Sequence, residues 1–183
     1  MGTKQMKELI AVIITLGLVA LIVTQNTPEN TSQTLPLLPS FALEDVAGFS
    51  VYIKDKPKLE AKRDGDKWLL VGRDTPTYLQ TNVVSQLLYD LQTMQVKRIA
   101  SRTPEKFSRF SVLDVQVILQ DKEGKVLLSV FVGKPATDLT STYIRLADEN
   151  MVVTVDKVLT WQVKRTQDAW LEQEATTKDI PTE

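Results

Sequence analysis

The sequence predicts an α+β fold in which antiparallel sheet segments, built as meander hairpins, pack on one central amphipathic helix. A single transmembrane helix is predicted at the N-terminus, before this domain. Several stretches alternate apolar and polar residues at every second position, as strands with one buried face do. One stretch instead repeats its apolar residues at helical spacing, and a long apolar run lies near the N-terminus. Each predicted element follows from one of these three patterns.

The apolar run extends from Leu9 to Thr24 without a charged residue, and at ~1.5 Å per residue it covers ~24 Å of helix. This length approaches the ~30 Å hydrocarbon core of a bilayer. Two interpretations remain, a signal peptide that is cleaved and a signal anchor that is retained. The anchor is favoured, because no small-residue cleavage site ends the run.

The distribution of basic residues predicts the orientation of this segment. Lys4 and Lys7 precede the run, and no basic residue follows it before Lys54. The positive-inside bias therefore places the N-terminus in the cytoplasm and the C-terminal domain in the periplasm of a bacterium, as a single-pass protein of the inner membrane.

A small-residue face lies within the predicted transmembrane helix. It is formed by Gly17, Ala20 and Thr24, at spacings of three and four residues. A helix of another membrane protein could pack closely on this face, and the alternative is that the three residues simply face lipid.

The chain divides into four predicted regions. These are a cytoplasmic stub with the transmembrane helix (1–24), a linker rich in Pro, Thr and Asn (25–40), an extracytoplasmic α+β domain (41–175) and a polar tail (176–183). The linker contains three prolines and no aromatic residue, a composition typical of an extended tether.

Strands account for most of the predicted domain. Asp64-Gly65 separates two alternating runs, and this is the strongest short hairpin signal because both turn positions need positive φ. The runs around it predict a three-strand meander. Later strands are predicted at Val96–Ala100, Val115–Gln120, Val126–Val132, Thr142–Leu146 and Met151–Val155, with a turn or single helical turn at Pro104–Phe110.

One central helix follows the meander. Its apolar positions have the spacing i, i+3, i+4, i+7 and its opposite side is polar. The apolar set is Val84, Leu87, Leu88 and Leu91, the polar set is Ser85, Gln86, Asp90 and Gln92, and Thr81 or Asn82 is available as N-cap. A second helix is predicted from Asp156 to Glu174, with Trp161 and Trp170 as its largest side chains.

Composition excludes several classes of site. Lys and Arg number 22 against 23 for Asp and Glu, so no broad attraction to nucleic acid is expected. The chain has neither cysteine nor histidine, which removes disulfides and thiolate chemistry and the commonest metal ligand. The sequence therefore predicts no catalytic residue, no cofactor and no metal.

The order of several short motifs resembles a known family. They are GDKWLL, VVSQLLYDLQTMQVKRIA, FSVLDVQVIL, VFVGKP, STYIRL and MVVTVD. Over roughly Val46 to Leu171 the chain is similar to family 4340 of bacterial domains of unknown function. The resemblance implies membrane tethering, and for some members an association with ABC-type export or gliding-motility subunits, but no established activity.

Particular residues match this family's pattern. Gly133 corresponds to its glycine, and Tyr143 and Arg145 correspond to its tyrosine-x-arginine strand. The family usually has an aromatic residue, a glycine and a leucine where this chain has Phe110, Ser111 and Val112. Ser111 therefore departs from the family's pattern, which usually has a glycine at this turn.

Three groups of residues are candidate contact sites. Tyr143 and Arg145 project from one strand face and could grip a carboxylate or phosphate, or they could serve in packing. A basic stretch could meet an acidic partner or lipid headgroups, or be an ordinary solvated face. It contains Lys97, Arg98, Arg102, Lys106 and Arg109, with Phe107 and Phe110 among them. Trp161 and Trp170 could contact a partner protein or the lipid headgroups, or they could cover the sheet as part of the core.

We expect from these features a non-enzymatic, membrane-anchored accessory or assembly subunit of a larger inner-membrane complex. Its partners would be integral membrane protein subunits, with the lipid bilayer contacted through the N-terminal helix and no nucleic acid bound. One alternative is a periplasmic domain that binds or senses an envelope ligand in a cleft between the two sheet segments. The other, by family analogy only, is an auxiliary of an ABC-type export system.

Overall fold

A computed structural model describes residues 35–172 of the chain. The strands are β1 Gly48–Ile53, β2 Lys56–Asp64, β3 Lys67–Leu70, β4 Tyr78–Leu79, β5 Val96–Ser101, β6 Val115–Gln120, β7 Val126–Pro135, β8 Thr142–Leu146 and β9 Val152–Val155. The helices are α1 Thr81–Thr93 and α2 Thr160–Lys164, with 3-10 helices at Leu43–Asp45, Pro104–Phe110 and Asp168–Trp170. This mostly antiparallel sheet with a few helices confirms the α+β class.

The strands form one continuous sheet rather than separate segments. Its order is β4-β3-β2-β1-β6-β7-β8-β9-β5, and all neighbours are antiparallel. Strand β1 joins the two halves, because Ile53 pairs with Lys56 on one side and with Val115 on the other. The expectation of a cleft between two sheet segments is therefore wrong for the described part of the chain, since pairing of β1 with β6 satisfies the edge that such a cleft would expose.

Helix α1 buries the face that its sequence predicts. Val84, Leu87, Leu88 and Leu91 are all buried in the core. The capping prediction is wrong, because Gln80 occupies the N-cap position without a side-chain hydrogen bond. Its carbonyl accepts the N–H groups of Val83 and Val84 instead.

One polar residue of α1 is not on a solvated side as predicted. Asp90 is only 9% exposed, because α2 packs beside it. Its Oδ2 accepts hydrogen bonds from Gln162 Nε2 (2.8 Å) and Gln86 Nε2 (3.1 Å). The carboxylate therefore ties the two helices together, as buried charged groups must be hydrogen-bonded.

The first two hairpin turns differ from the predicted pattern. Asp64 ends β2 and pairs with Lys67, so the turn is Gly65-Asp66 and only Gly65 has positive φ (59°). The turn with two positive φ values joins β1 to β2, at Lys54 (50°) and Asp55 (61°). It escaped prediction because Lys54 is not typical of positive φ and Lys-Asp is not one of the residue pairs, such as Asn-Gly or Asp-Gly, that signal this turn.

The C-terminal part is not the long helix predicted from Asp156 to Glu174. Within residues 156–172 the helices are α2 and the Asp168–Trp170 3-10 helix. At the end of the latter, Trp170 O accepts the Gln80 N–H (2.8 Å), and after it Glu172 N donates to Tyr78 O (3.0 Å). The backbone here pairs with the edge strand β4, and a helical backbone cannot form such bonds.

The described part of the predicted linker, residues 35–40, lies against the domain. Leu38 packs on the core, and the segment borders Leu91, Met94 and Val96 where α1 leads into β5. Within residues 35–172, no helix has the length and apolarity required to cross a membrane. The predicted anchor and its small-residue face of Gly17, Ala20 and Thr24 lie outside the described residues, as does the predicted tail 176–183.

Candidate functional site

The sheet has two faces that are covered differently. Helix α1 covers the first face, which carries the main core. The opposite face, called here the back face, is covered at β7, β8 and β9 by the Pro104–Phe110 helix, whose Phe107 packs with Tyr143 and Val152. The alternation of side chains along β8 places Tyr143 and Arg145 together on this back face, as their spacing predicts.

Arg145 rests on an aromatic platform. Its guanidinium lies 4.2 Å from the ring centroid of Phe131 and 5.6 Å from that of Phe107. Nη1 donates to the carbonyl oxygens of Leu146 (3.3 Å), Ala147 (3.2 Å) and Glu149 (3.5 Å). Burial lowers the pKa of Arg145 from its usual value, but a guanidinium remains charged at neutral pH.

Arg145 has spare capacity for hydrogen bonding. Its Nε is buried and has no hydrogen-bond partner among the described residues. None of the ion pairs within residues 35–172 includes Arg145. The buried Nε cannot reach another molecule, so only the outer N–H groups of this guanidinium are suited to a carboxylate or phosphate of a partner.

Phe107 and Tyr143 offer little contact surface, since they are 5% and 7% exposed. Phe107 lies beside the Arg145 guanidinium. The Tyr143 ring instead packs 4.8 Å from that of Phe110, at the end of the 3-10 helix. Of the predicted pair Tyr143 and Arg145, only Arg145 is therefore accessible enough to grip another molecule.

Three further predicted arginines border the same 3-10 helix. Arg98 lies on the edge strand β5, Arg102 follows that strand, and Arg109 lies within the helix. All three are exposed. We call Arg98, Arg102, Arg109 and Arg145 the arginine surface; among the described residues no ion pair neutralises any of them.

Lys97 belongs to the same basic stretch of sequence but not to this surface. Its Nζ donates to Asp138 Oδ2 (3.0 Å) and to Ser141 Oγ (2.9 Å). Asp138 also accepts the Ser141 hydroxyl and the backbone N–H of Thr140. Hydrogen bonding from Ser141 first, and then from Lys97, lowers the pKa of Asp138 to about 2.

The Asp138 contacts predict a local loss of stability in acid. A carboxylate whose pKa is lowered by folding adds stability above its ordinary pKa of 3.8, and this contribution is lost as the pH falls toward about 2. Replacing Lys97 by Met should raise the pKa of Asp138, measured from its carboxyl ¹³C shift. Lys106→Met removes an exposed lysine that makes no contact with Asp138 and should leave that titration unchanged; equal titrations in both variants would contradict the assigned contact.

Ser111 forms the turn between the 3-10 helix and β6. It has φ 57° and ψ 30°, the left-handed conformation that a glycine adopts without strain. Ser111 therefore occupies a position whose backbone geometry suits the glycine that the resemblance leads us to expect there. Because a non-glycine residue in this conformation costs about 1 kcal/mol, we expect Ser111→Gly to raise the free energy of unfolding by about that amount.

Urea unfolding followed by circular dichroism measures this gain. The matched control is Ser108→Gly, three residues earlier, within the 3-10 helix that precedes Ser111 and not at positive φ. It should lower stability by up to about 1 kcal/mol, because glycine is less favourable within a helix. A loss of stability in Ser111→Gly would contradict the account of the turn.

The two predicted tryptophans have different surroundings. Trp161 is 61% exposed on α2, whereas Trp170 is 1% exposed in the core. Arg165 lies near both rings, 5.6 Å from the Trp161 centroid and 5.1 Å from the Trp170 centroid. Only Trp161 offers a surface that another molecule can contact.

A groove that the sequence did not reveal lies on the uncovered part of the back face. Its volume is about 670 Å³. Gly48, Tyr52, Glu60, Lys62 and Gln120 are among the residues that line it. Tyr52 Oη donates to Glu60 Oε1 (3.1 Å), and burial together with this bond raises the pKa of the tyrosine.

The groove presents polar groups of both signs and no nucleophile paired with a base. Groups of three or more acidic residues that could hold a metal ion do not occur within residues 35–172. The alternation of β1 and β2 indicates which side chains share a face, but the groove depends on the pairing of β1 with β6. That pairing is between distant parts of the chain and has no local signal.

Comparison with known protein families identifies the family of this chain. The family model of a domain of unknown function (DUF4340) matches residues 74–179, more than half of the chain. The matched range contains α1, the Pro104–Phe110 helix and the whole arginine surface. No curated protein and no solved structure matches the chain.

Proposed function

The chain belongs to the DUF4340 family, whose function is unknown, and we propose from its residues that it is a non-enzymatic, membrane-anchored accessory or assembly subunit of a larger membrane complex. In this proposal the N-terminal helix stays in the bacterial inner membrane, with its N-terminus in the cytoplasm. The folded domain lies in the periplasm and contacts integral membrane subunits through the arginine surface.

The arginine surface is the observation on which the proposal depends. Arg145 is fixed by Phe131 and by three backbone carbonyl groups, so little side-chain entropy remains to be lost on binding. The flanking arginines are exposed and unpaired among the described residues. Fixed arginines on aromatic support are typical of interface hot spots that receive acidic groups.

The apolar run Leu9–Thr24 supports the anchoring part of the proposal. A tether restricts the domain to a thin layer near the bilayer and raises its effective concentration toward membrane partners to roughly millimolar. Weak contacts at the arginine surface would then suffice for assembly. The small-residue face of Gly17, Ala20 and Thr24 would add a contact within the membrane.

Photocrosslinking in intact cells tests this function. A photoreactive amino acid at Ser108, which is exposed among the arginines, should yield a discrete adduct with a membrane protein, identified by mass spectrometry. Adding Arg98→Glu and Arg102→Glu should reduce that adduct at least about tenfold, because like charges across an interface repel.

The matched control makes the same charge change elsewhere. Lys122→Glu with Lys125→Glu alters the β6–β7 turn, where Lys122 is 84% exposed, and should leave the adduct unchanged. A probe at Ser108 that yields no discrete membrane-protein adduct would contradict the proposed function. Genes adjacent to this one would show whether the partner belongs to an ABC-type exporter.

The groove on β1 favours a second candidate function, binding of a small polar envelope ligand. Its lining offers both acidic and basic groups, Glu60 and Lys62 among them. Such a site would suit a zwitterionic peptide or an amino sugar. Chemical-shift changes confined to Gly48, Tyr52 and Gln120 on addition of cell-wall fragments would support it, and their absence at millimolar ligand would remove it.

A further inference from the structure

The two ends of the sheet carry different connections. At one end lie the Lys54-Asp55 turn and the loops 111–114, 136–141 and 156–159, because Ile53 pairs with Val115, and Thr142 with both Pro135 and Val155. The opposite end holds the turns 65–66, 121–125 and 147–151. We call these the tether end and the acidic end.

Contacts hold the connections of the tether end together. Lys54 N donates to Asp114 O (2.7 Å), which joins the β1–β2 turn to the loop before β6. Thr160 Oγ1 donates to Gly133 O (2.8 Å), which fixes α2 against the end of β7. These bonds fix the backbone of the β1–β2 turn, of the loop before β6 and of the start of α2 relative to the sheet.

Large apolar side chains are exposed on these connections. Leu139 is 74% exposed, Trp161 is 61% exposed and Leu113 is 47% exposed. They come from the β7–β8 loop, from α2 and from the segment before β6, so three separate connections each present one. At the acidic end, the comparable residue is Val126, which is 49% exposed.

Charge also differs between the two ends. Lysines 54, 56, 134 and 164 are exposed at the tether end. Of the aspartates there, Asp138 is engaged by Lys97 and Asp156 by the N–H of Gln95 (2.7 Å), while Asp55 and Asp114 are exposed. The turns of the acidic end carry six acidic residues against three exposed lysines: Asp64, Asp66, Asp121, Glu123, Asp148 and Glu149 against Lys67, Lys122 and Lys125.

The chain enters the described domain at the tether end. Residues 35–40 lie beside Met94 and Val96, and Gln95 O accepts the Asp156 N–H at the end of β9. Residues 25–34, which separate this point from the apolar run, span at most about 35 Å even when fully extended. Leu37, 94% exposed, adds a further apolar side chain beside the entry point.

We infer that the tether end rests on the surface of the lipid bilayer, with Trp161, Leu113 and Leu139 in the headgroup layer and the lysines beside anionic lipid phosphates. This inference rests on the proposed membrane anchor. It adds an orientation for the domain and a second lipid contact. Exposed Trp and Leu side chains surrounded by Lys are the composition that binds membrane interfaces. The arginine surface then faces sideways, toward neighbouring membrane proteins.

Tryptophan fluorescence in proteoliposomes tests this orientation. The chain has three tryptophans and none in the apolar run. Trp68 and Trp170 are 3% and 1% exposed. The difference between the full chain and Trp161→Phe therefore reports Trp161 alone.

We expect lipids brominated near the headgroup, in vesicles of phosphatidylethanolamine and phosphatidylglycerol, to quench the Trp161 signal by about half. Lipids brominated near the end of the acyl chain should quench it less. Replacing phosphatidylglycerol by phosphatidylcholine should weaken the quenching, because the lysines then lose their anionic partners.

The control places the reporter at the acidic end. Glu123→Trp in the Trp161→Phe background should show no quenching, because Glu123 lies on the turn remote from the tether end. If the chain resists carbonate extraction but Trp161 is not quenched, the anchor stands and the orientation is wrong, and the surface is then available to a protein partner. If carbonate releases the chain from the vesicles, the anchor and the orientation fail together.

Discussion

Gly133→Ala should lower the free energy of unfolding by about 3 kcal/mol or more, because there is no room for a methyl group at this position. A Cβ there would overlap Phe110 O, and it would approach Val112 Cγ1 to 2.7 Å and Tyr143 O to 2.9 Å. Two of these atoms belong to the backbone and cannot rotate away. Urea unfolding of the variant measures the loss.

Gly48→Ala is the matched control for this prediction. Gly48 is also a buried strand glycine, but a Cβ there would have its nearest contact at 3.5 Å from Ala61 O, an ordinary van der Waals distance. We expect a change below about 1 kcal/mol. Equal losses in the two variants would show that the packing around Gly133 is not as described.

The Gly133 substitution should also disturb the arginine surface. The overlapping atoms lie at the end of the Pro104–Phe110 helix, and that helix supplies the Phe107 ring beneath Arg145. Loss of the photocrosslink at Ser108 should therefore accompany the loss of stability. Gly48→Ala should leave the crosslink intact.

Trp170→Ala should cost about 3–5 kcal/mol, the range for removing a fully buried aromatic side chain. Trp170 is 1% exposed, and its ring lies 5.9 Å from that of Phe49 and 5.1 Å from the Arg165 guanidinium. The variant leaves a cavity beside Phe49 and removes one of the two rings that Arg165 contacts. Thermal unfolding should show a lowered midpoint.

Trp161→Ala provides the comparison, because both tryptophans have a ring near Arg165 and differ in burial. Trp161 is 61% exposed, so its removal should cost no more than about 1 kcal/mol, through the lost contact with the guanidinium. Similar losses for Trp161 and Trp170 would contradict the placement of Trp170 in the core.

Local pattern was sufficient to predict most elements of the domain. The helical spacing of Val84, Leu87, Leu88 and Leu91 predicts a face that is in fact buried. The alternation in Val115–Gln120 predicts a strand whose odd-numbered residues are buried. Both patterns depend only on neighbours within one element, and burial of one face is enough to specify them.

Long-range pairing was not predictable from such patterns. The antiparallel pairing of β1 with β6 joins residues more than sixty positions apart in the sequence, and this pairing makes the sheet continuous. Asp90 was misplaced for the same reason, since its burial depends on α2, which follows about seventy residues later. The predicted C-terminal helix was wrong because pairing with β4 competes with helical hydrogen bonds.

The candidate site was predicted in part. The basic stretch and the Tyr143-x-Arg145 pattern identified the arginines, whose surroundings were not foreseen. Phe131 was missed, although it is the aromatic residue between Val130 and Val132 and must therefore face away from the core. An aromatic residue at a strand position that alternates with the buried ones could have indicated an aromatic contact on the back face.

The central claim is that the apolar run anchors the protein and holds its domain outside the cytoplasm. Cells that express the full chain with an epitope after Glu183 test it by carbonate extraction of membranes and by protease treatment of spheroplasts. We predict that the chain stays with the membranes and that externally added protease removes the epitope. A carbonate-soluble chain that begins near Gln25, or an epitope that protease reaches only after lysis, would contradict the claim.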